Sequence, residues 1–345
     1  MFYIRVDANA DIATGHVMRC MTIAKEIVTM GQEVTFLTAD RQSHDLILDN
    51  GYHAVSLDTR WNHMEEELPK MISLIEQWNI ETVLIDSYSV TAAYLRELRK
   101  HTKVIYIDDV YSFSYPVDVL INYNIYANQV DYNQLQRGMN TKLLLGCKYA
   151  PLRSDFRGIQ KKYGEKVKRV LISTGGADSH HVALKLLKFI GDGKLLSDPV
   201  YEDIEYHIIV GKFNRDLEEL SEIEKTHKNI VLHRNVKNMH SLMEEADIAI
   251  TAGGSTMYEL CASGVPMLIY TFTDHQLDGA REFEKLGLAT YCGDIRKGEA
   301  LVWEHIQSSM KGYCSSKELR YEIGKKMQEY IDGKGAIRLA RELLQ

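Results

Sequence analysis

The sequence predicts an α/β protein built as two parallel-sheet domains, and three observations carry that reading. In the first half, short β-rich runs at 2–7, 33–39, 82–87, 103–108, 117–122 and 142–146 alternate with helical patterns at 15–30 and 64–78. Such βαβ alternation places the strands parallel. Several of these runs are apolar on both faces, as strands covered by helices on each side must be. The alternation restarts at Lys168, after the charged connector GIQKKYGEKVK, with runs at 169–173, 206–210, 230–233, 248–252 and 267–271. A chain of 345 residues exceeds what one hydrophobic core usually holds, so two domains are expected, 1–157 and 166–345.

Within these elements, the helix at 15–30 offers Val17, Ala24, Ile27 and Val28 to the core, following a 3.6-residue period. The segment 315–345 reads as helical with a break at DGKGA, 332–336, where two glycines end one helix and admit another. Its terminal helices are free to pack back on the N-terminal domain.

Composition narrows the function. Hydrophobic residues at 45% and only 5 prolines describe an ordinary globular chain without linkers or low-complexity tracts. A net charge of −7 gives no general phosphate-tracking surface, so nucleic acid is not an expected partner. The start, MFYIRVDANAD, carries Arg5, Asp7 and Asp11 and lacks a basic flank with an apolar core, so no signal peptide is expected. No apolar run approaches the roughly 20 residues that span a bilayer, and a cytoplasmic location is expected. The five cysteines, Cys20, Cys147, Cys261, Cys292 and Cys314, are scattered without CxxC spacing. They read as free thiols rather than disulfides or a zinc site.

In open α/β sheets ligands bind beyond the carboxyl ends of the strands. That rule selects TGHVMR after the first strand, DSY at 86–88, DD at 108–109, STGGAD at 173–178, TAGGSTMYE at 251–259 and TFTDHQ at 271–276. The glycine pairs suit a diphosphate, because backbone N–H groups can approach it closely and a helix N-terminus adds favourable charge. Neither is GxGxxG or a Walker loop, so the dinucleotide and ATP fingerprints are absent. Ser255 and Thr256 either cap the helix or donate hydroxyls to phosphate. Glu259, in the first turn behind that loop, either complements the helix dipole or accepts both hydroxyls of a ribose.

In DIATGHVMRC, residues 11–20, a glycine and a histidine stand where strand gives way to helix. Partial positive charge at a helix N-terminus favours the neutral imidazole that a general base requires. Gly15 permits close approach of a ligand, and Arg19, one turn after His16, can pair with a carboxylate such as Asp7 or Asp86. The alternative for His16 is a capping or core role.

The segments RVDANADIATGHVMRCMTIAKEI, LIDSY, IDD, LLGCKYAPLRSDF, ISTGGAD and TAGGSTMYELCASGVP occur here in an order that resembles the PseG family. These are the UDP-sugar hydrolases of pseudaminic acid biosynthesis, with spore-coat polysaccharide relatives, and the resemblance spans about 2–290. It implies a GT-B fold: two Rossmann-like parallel-sheet domains facing across a cleft, with UDP in the C-terminal one. It also implies hydrolysis of a UDP-linked diacetamido-trideoxy sugar. By the same likeness His16 is the catalytic histidine, Glu259 contacts ribose, and Gly175, Gly176, Ser255 and Thr256 lie where uridine and diphosphate bind. Gly15, Arg19, Asp86, Tyr88, Gly254, His275 and Gln276 complete the expected substrate-binding set. In the late motif, where the family commonly has Asn before Gln, this sequence has His275 before Gln276, as transferase-like relatives do.

The expected chemistry is inverting: His16 takes a proton from water as it attacks the anomeric carbon, and UDP leaves from the opposite face. Turn amides, hydroxyls and the helix dipole around Gly176, Ser255 and Thr256 stabilise the leaving group. No DxD stands at a strand end, so neither metal nor cofactor is expected, and the Asp108–Asp109 pair lacks further ligands nearby in sequence. The alternative is a GT-B glycosyltransferase using a UDP-sugar donor, with the tyrosine-rich segment 111–132 as acceptor surface. A non-catalytic nucleotide-sugar sensor is disfavoured by His16.

Overall fold

Both sheets are parallel throughout. The computed structural model describes residues 1–345 apart from 10, 13, 177, 191–200, 202, 212 and 213. In the first sheet, β1 (Phe2–Val6), β2 (Val34–Thr38), β3 (His53–Ser56), β4 (Thr82–Asp86), β5 (Lys103–Ile107), β6 (Val119–Asn122) and β7 (Lys142–Leu145) lie in the order β3-β2-β1-β4-β5-β6-β7. In the second, β8 (Arg169–Ser173), β9 (Glu205–Val210), β10 (Ile230–Arg234), β11 (Ile248–Ala252), β12 (Met267–Thr271) and β13 (Thr290–Asp294) lie in the order β10-β9-β8-β11-β12-β13.

The chain divides into two units, one formed by Met1–Arg153 with Lys334–Gln345 and the other by Ser154–Gly333. Helix Gly335–Leu343 packs on helix Gly15–Thr29 within the first unit. Gly335 makes that return possible, because a Cβ there would stand 2.1 Å from the Ala150 carbonyl oxygen.

Each sheet holds a core on the helix-covered faces of its central strands. Ile4, Val83, Leu84, Ile105 and Leu120 are fully buried in the first unit, as are Ile172, Ile208, Ile250 and Leu268 in the second. On helix Gly15–Thr29, Val17, Ala24 and Ile27 are fully buried, but Val28 is 47% exposed. It falls one residue beyond the stripe that Val17, Cys20, Ala24 and Ile27 form, so the expectation for Val28 is corrected. The 64–78 pattern is a 3-10 turn, Met64–Glu67, followed by the α-helix Leu68–Trp78. Pro69 in its first turn has no N–H to donate and so marks the helix start.

Two strands escape the sequence reading. The β3 segment, HAVS, is a sheet edge with no fully buried residue and too little apolar character to signal itself. The β13 segment, TYCGD, pairs with β12 through a register shift, and Gly293 sits at φ 123, where an L side chain is strained. Among the described residues no helix is long and apolar enough to cross a membrane. The five cysteines are all free.

Candidate active site

Strand order reverses direction at β1/β4 in the first sheet and at β8/β11 in the second. Those are the topological switch points, where adjoining loops diverge and leave a crevice at the carboxyl ends. The histidine segment follows β1 and Asp86 ends β4, with Val6 paired to Asp86 across the two strands. The two glycine loops follow β8 and β11, with Ser173 paired to Thr251. Each group of motifs therefore converges at a switch point of its own unit.

In the first unit His16 lies in the opening turn of helix Gly15–Thr29, 8% exposed. Its Nδ1 is 2.7 Å from Asp86 Oδ1. Arg19, one turn on, grips the same carboxylate from the side, with Nε donating to Oδ2 at 2.6 Å and Nη2 donating to Oδ1. Its Nη1 donates to Asp109 Oδ2 at 2.6 Å and to Tyr123 OH at 2.7 Å, so all three guanidinium nitrogens are engaged. Arg19 Nη2 and His16 Nδ1 are 3.0 Å apart because both point at one oxygen of Asp86.

The proton position on His16 follows from its partner. An ionised carboxylate only accepts, so Nδ1 carries the hydrogen and donates it to Asp86, which leaves the Nε2 lone pair available in the neutral ring. Burial by itself would push the Asp86 carboxyl up, but the Arg19 guanidinium outweighs it, aided by His16, and holds the group well below the usual carboxylate range. Burial opposes the charge on Arg19 too, and Asp109 and then Asp86 reverse that and hold it firmly protonated.

Tyr88 meets the His16 ring edge to face, with centroids 4.6 Å apart, and is 58% exposed. Its hydroxyl donates to Asp109 Oδ2 at 3.3 Å. Gly15 is exposed, and among the described residues a Cβ there would meet nothing within 4 Å. Asp7 is not an Arg19 partner: it accepts from Arg5 Nη1 at 2.5 Å and from the Ala39 N–H at 2.7 Å. Arg5 is completed by Glu67, which also accepts from Tyr94 OH at 2.7 Å. The acidic pair divides by role. Asp108 is fully buried and accepts from Tyr115 OH at 2.8 Å and Tyr132 OH at 2.6 Å, whereas Asp109 faces Arg19. Tyr115 and Tyr132 are thus packing residues, and Tyr111 is 36% exposed. Among the described residues no cluster of three or more His, Cys, Asp or Glu side chains could hold a metal.

In the second unit Gly175 takes φ 89, a conformation that favours glycine, and Gly175 and Gly176 are exposed. Ala177 of STGGAD lies outside the described residues. Asp178 anchors the loop by accepting from the N–H groups of Val182 and Ala183, each at 2.9 Å. The chain leaving β9 lies against this loop, since a Cβ on Gly211 would stand 2.2 Å from the Gly176 carbonyl oxygen.

Gly254 is half-buried, and Ser255 makes no side-chain capping bond at the start of helix Thr256–Ser263. Ser255 is exposed. Thr256 opens that helix, and Glu259 lies in its first turn, half-buried. Gln276 holds its own loop, its Oε1 accepting from the Phe272 N–H at 2.9 Å. His275 is exposed in the 3-10 turn Asp274–Gln276.

These paired glycine loops and a first-turn glutamate stand at the strand ends of one parallel sheet. Residues 163–331 match the glycosyltransferase family 28 C-terminal domain. The fold is GT-B: Acinetobacter baumannii MurG matches with a TM-score of 0.70 at 14% identity, covering 100% of this chain and 99% of that one. Neisseria meningitidis UDP-GlcNAc 2-epimerase matches with a TM-score of 0.68 at 12% identity, over 100% of both chains.

In sequence the chain is 25% identical to the Bacillus subtilis spore coat polysaccharide biosynthesis protein SpsG, over 97% of this chain and 95% of SpsG. It is 23% identical to a Helicobacter pylori protein described as a pseudaminic acid cytidylyltransferase and UDP-2,4-diacetamido-2,4,6-trideoxy-beta-L-altropyranose hydrolase, over 79% of this chain and 45% of that one. An uncharacterised Methanocaldococcus jannaschii protein is 23% identical over 88% of this chain and 62% of its own length. The chain thus spans less than two thirds of these last two relatives. Its second unit is thus similar to the family 28 C-terminal domain, and its curated relatives include a spore coat polysaccharide biosynthesis protein and a protein described as a nucleotide-sugar hydrolase.

Motif reading singled out Asp109 through DD at 108–109 but missed Tyr123, Asn124 and Gly211. Asp109, Tyr123 and Asn124 gather around Arg19 from the ends of β5 and β6. The strand-end rule applied to NYN, 122–124, was the signal available for the last two. Gly211 carried the same signal, standing immediately after β9.

Proposed function

We propose that the protein hydrolyses a UDP-linked diacetamido-trideoxy sugar, releasing UDP and the free sugar, in the making of a pseudaminic-type acid or a surface polysaccharide. The observation that carries this reading is the His16–Asp86 pair, 2.7 Å apart. Nucleotide binding alone needs no base oriented by a carboxylate at the first switch point, whereas activation of water does.

UDP binds at the strand ends of the second unit, with diphosphate oxygens on the N–H groups around Gly175, Gly176 and Gly254 and on the hydroxyls of Ser255 and Thr256. Glu259 accepts the ribose hydroxyls, and the His275–Gln276 turn borders the sugar. His16 Nε2 removes a proton from water, the oxygen bonds to the anomeric carbon with inversion, and the electron pair of the breaking bond leaves with UDP. Asp86 holds the ring and stabilises the imidazolium that forms. Arg19 holds Asp86, and Tyr88 borders the histidine.

The test is incubation with UDP-2,4-diacetamido-2,4,6-trideoxy-β-L-altropyranose, the substrate in the description of the Helicobacter pylori relative. Expected are stoichiometric UDP and, by proton NMR in the first minutes, the inverted anomer of the free sugar. A second reading, glycosyl transfer, is favoured by His275 preceding Gln276 and by the family 28 match. UDP release only when a saccharide acceptor is supplied selects that reading and rejects hydrolysis.

A further inference from the structure

We propose that Asp109 is a positioning residue for His16: with Asp86 it sets two carboxylates against the single guanidinium of Arg19, and the proton that His16 accepts brings the cluster to electrical balance. The inference rests on His16 being the base.

Asp109 lies two residues beyond β5 with its side chain 14% exposed, and it receives Arg19 Nη1 at 2.6 Å. Asn124 Nδ2 donates to its Oδ1 at 2.9 Å and Tyr88 OH to its Oδ2 at 3.3 Å. It therefore steers two groups that touch the His16 ring, Tyr88 across the ring edge and Arg19 beside Nδ1.

The charged and titratable groups around His16 can be counted element by element. The helix contributes Arg19 and Cys20, whose Sγ is 3.4 Å from Asp86 Oδ2 and whose thiol burial pushes up and keeps neutral. The end of β4 contributes Asp86 and Tyr88, the segment beyond β5 Asp109, and the segment beyond β6 Tyr123, whose phenol is also pushed up by burial. Asp7, beyond β1, is taken by Arg5.

With a neutral imidazole the sum is one guanidinium against two carboxylates. Arg19 and Asp86 alone would form a neutral pair with little pull on a proton at Nε2. Asp109 restores one unit of negative charge, in a setting where water screens it poorly. When the O–H bond of the attacking water breaks, its proton goes to Nε2 and its electron pair to the new bond at the anomeric carbon. The cluster then passes from one net negative charge to none.

The test follows the His16 ring resonance by NMR in the full-length protein across pH, assigned by its loss in His16→Gln. In Asp109→Asn and in Asp109→Ser the titration midpoint should fall by roughly half to one pH unit, about the effect of one nearby charge. In Asp109→Glu, which keeps the charge, it should stay near wild type. The acid limb of UDP release should move to lower pH in the two neutral variants, with kcat reduced several-fold and KM unchanged. An unmoved midpoint in the neutral variants overturns the proposal. So does failure of both to fold while Asp109→Glu folds with a wild-type titration, which assigns Asp109 to stability alone. Absence of UDP release from wild type with a moving midpoint rejects the hydrolase reading and leaves the charge coupling. His16-dependent release with an unmoved midpoint rejects the coupling alone.

Discussion

Asp86 binds His16 and Arg19 through the same oxygen, Oδ1, while its second oxygen takes Arg19 Nε at 2.6 Å. The carboxylate is thereby kept ionised and fixed in plane, so it can only accept from His16 Nδ1 and never supply the proton itself. Substitution to Asn removes the charge that stabilises the imidazolium and permits the wrong tautomer. Asp86→Asn should lower kcat by about 100-fold or more while UDP affinity changes less than about threefold. Steady-state kinetics with calorimetric UDP titration separates the two effects.

Replacing the base itself should cost more. His16→Ala is expected to reduce UDP release by on the order of 100- to 10,000-fold and to leave UDP affinity within a few-fold. Turnover retained at wild-type rate would remove His16 from the chemistry.

The second unit makes the opposite prediction. Glu259→Ala should weaken UDP binding by about tenfold, the worth of roughly one hydrogen bond to a charged group. Calorimetry with UDP against uridine-free pyrophosphate reads this directly. An equal loss for both ligands would place Glu259 away from ribose.

Gly211 and Gly176 meet backbone to backbone, and a Cβ at 2.2 Å from the Gly176 oxygen cannot be accommodated without moving the loop. Gly211→Ala should therefore weaken UDP binding and cost about 1–3 kcal/mol of stability. Gly15→Ala, where a Cβ meets nothing among the described residues, should fold as stably as wild type. Urea unfolding of both variants checks the contrast.

Acid should act through Asp86. Its folded-state carboxyl lies well below the ordinary range, so its contribution to stability is complete above the unfolded value of about 3.9. It is lost as pH falls below that toward the folded value, because the unfolded chain takes up a proton that the folded one refuses. Between pH 5 and pH 3 the urea midpoint of wild type should fall more steeply than that of Asp86→Asn.

Much of the molecule was legible without coordinates. Runs such as RVLIS and IAITA announce buried parallel strands because both faces are apolar, and β8 and β11 begin and end at the expected residues. Local chemistry also set the glycine turns and the helix opened by His16, since these depend on neighbours within a few residues. What only the tertiary structure decided is which distant side chains share a proton or a charge. Arg19 had Asp7 and Asp86 equally open to it in the sequence. It meets Asp86 because Arg5 already holds Asp7, and it reaches Asp109 across 90 residues because β4 and β5 are adjacent. Periodicity is a property of the chain read locally, whereas the pairing of charges depends on strand order, which brings together carboxylates that nothing in the linear sequence connects.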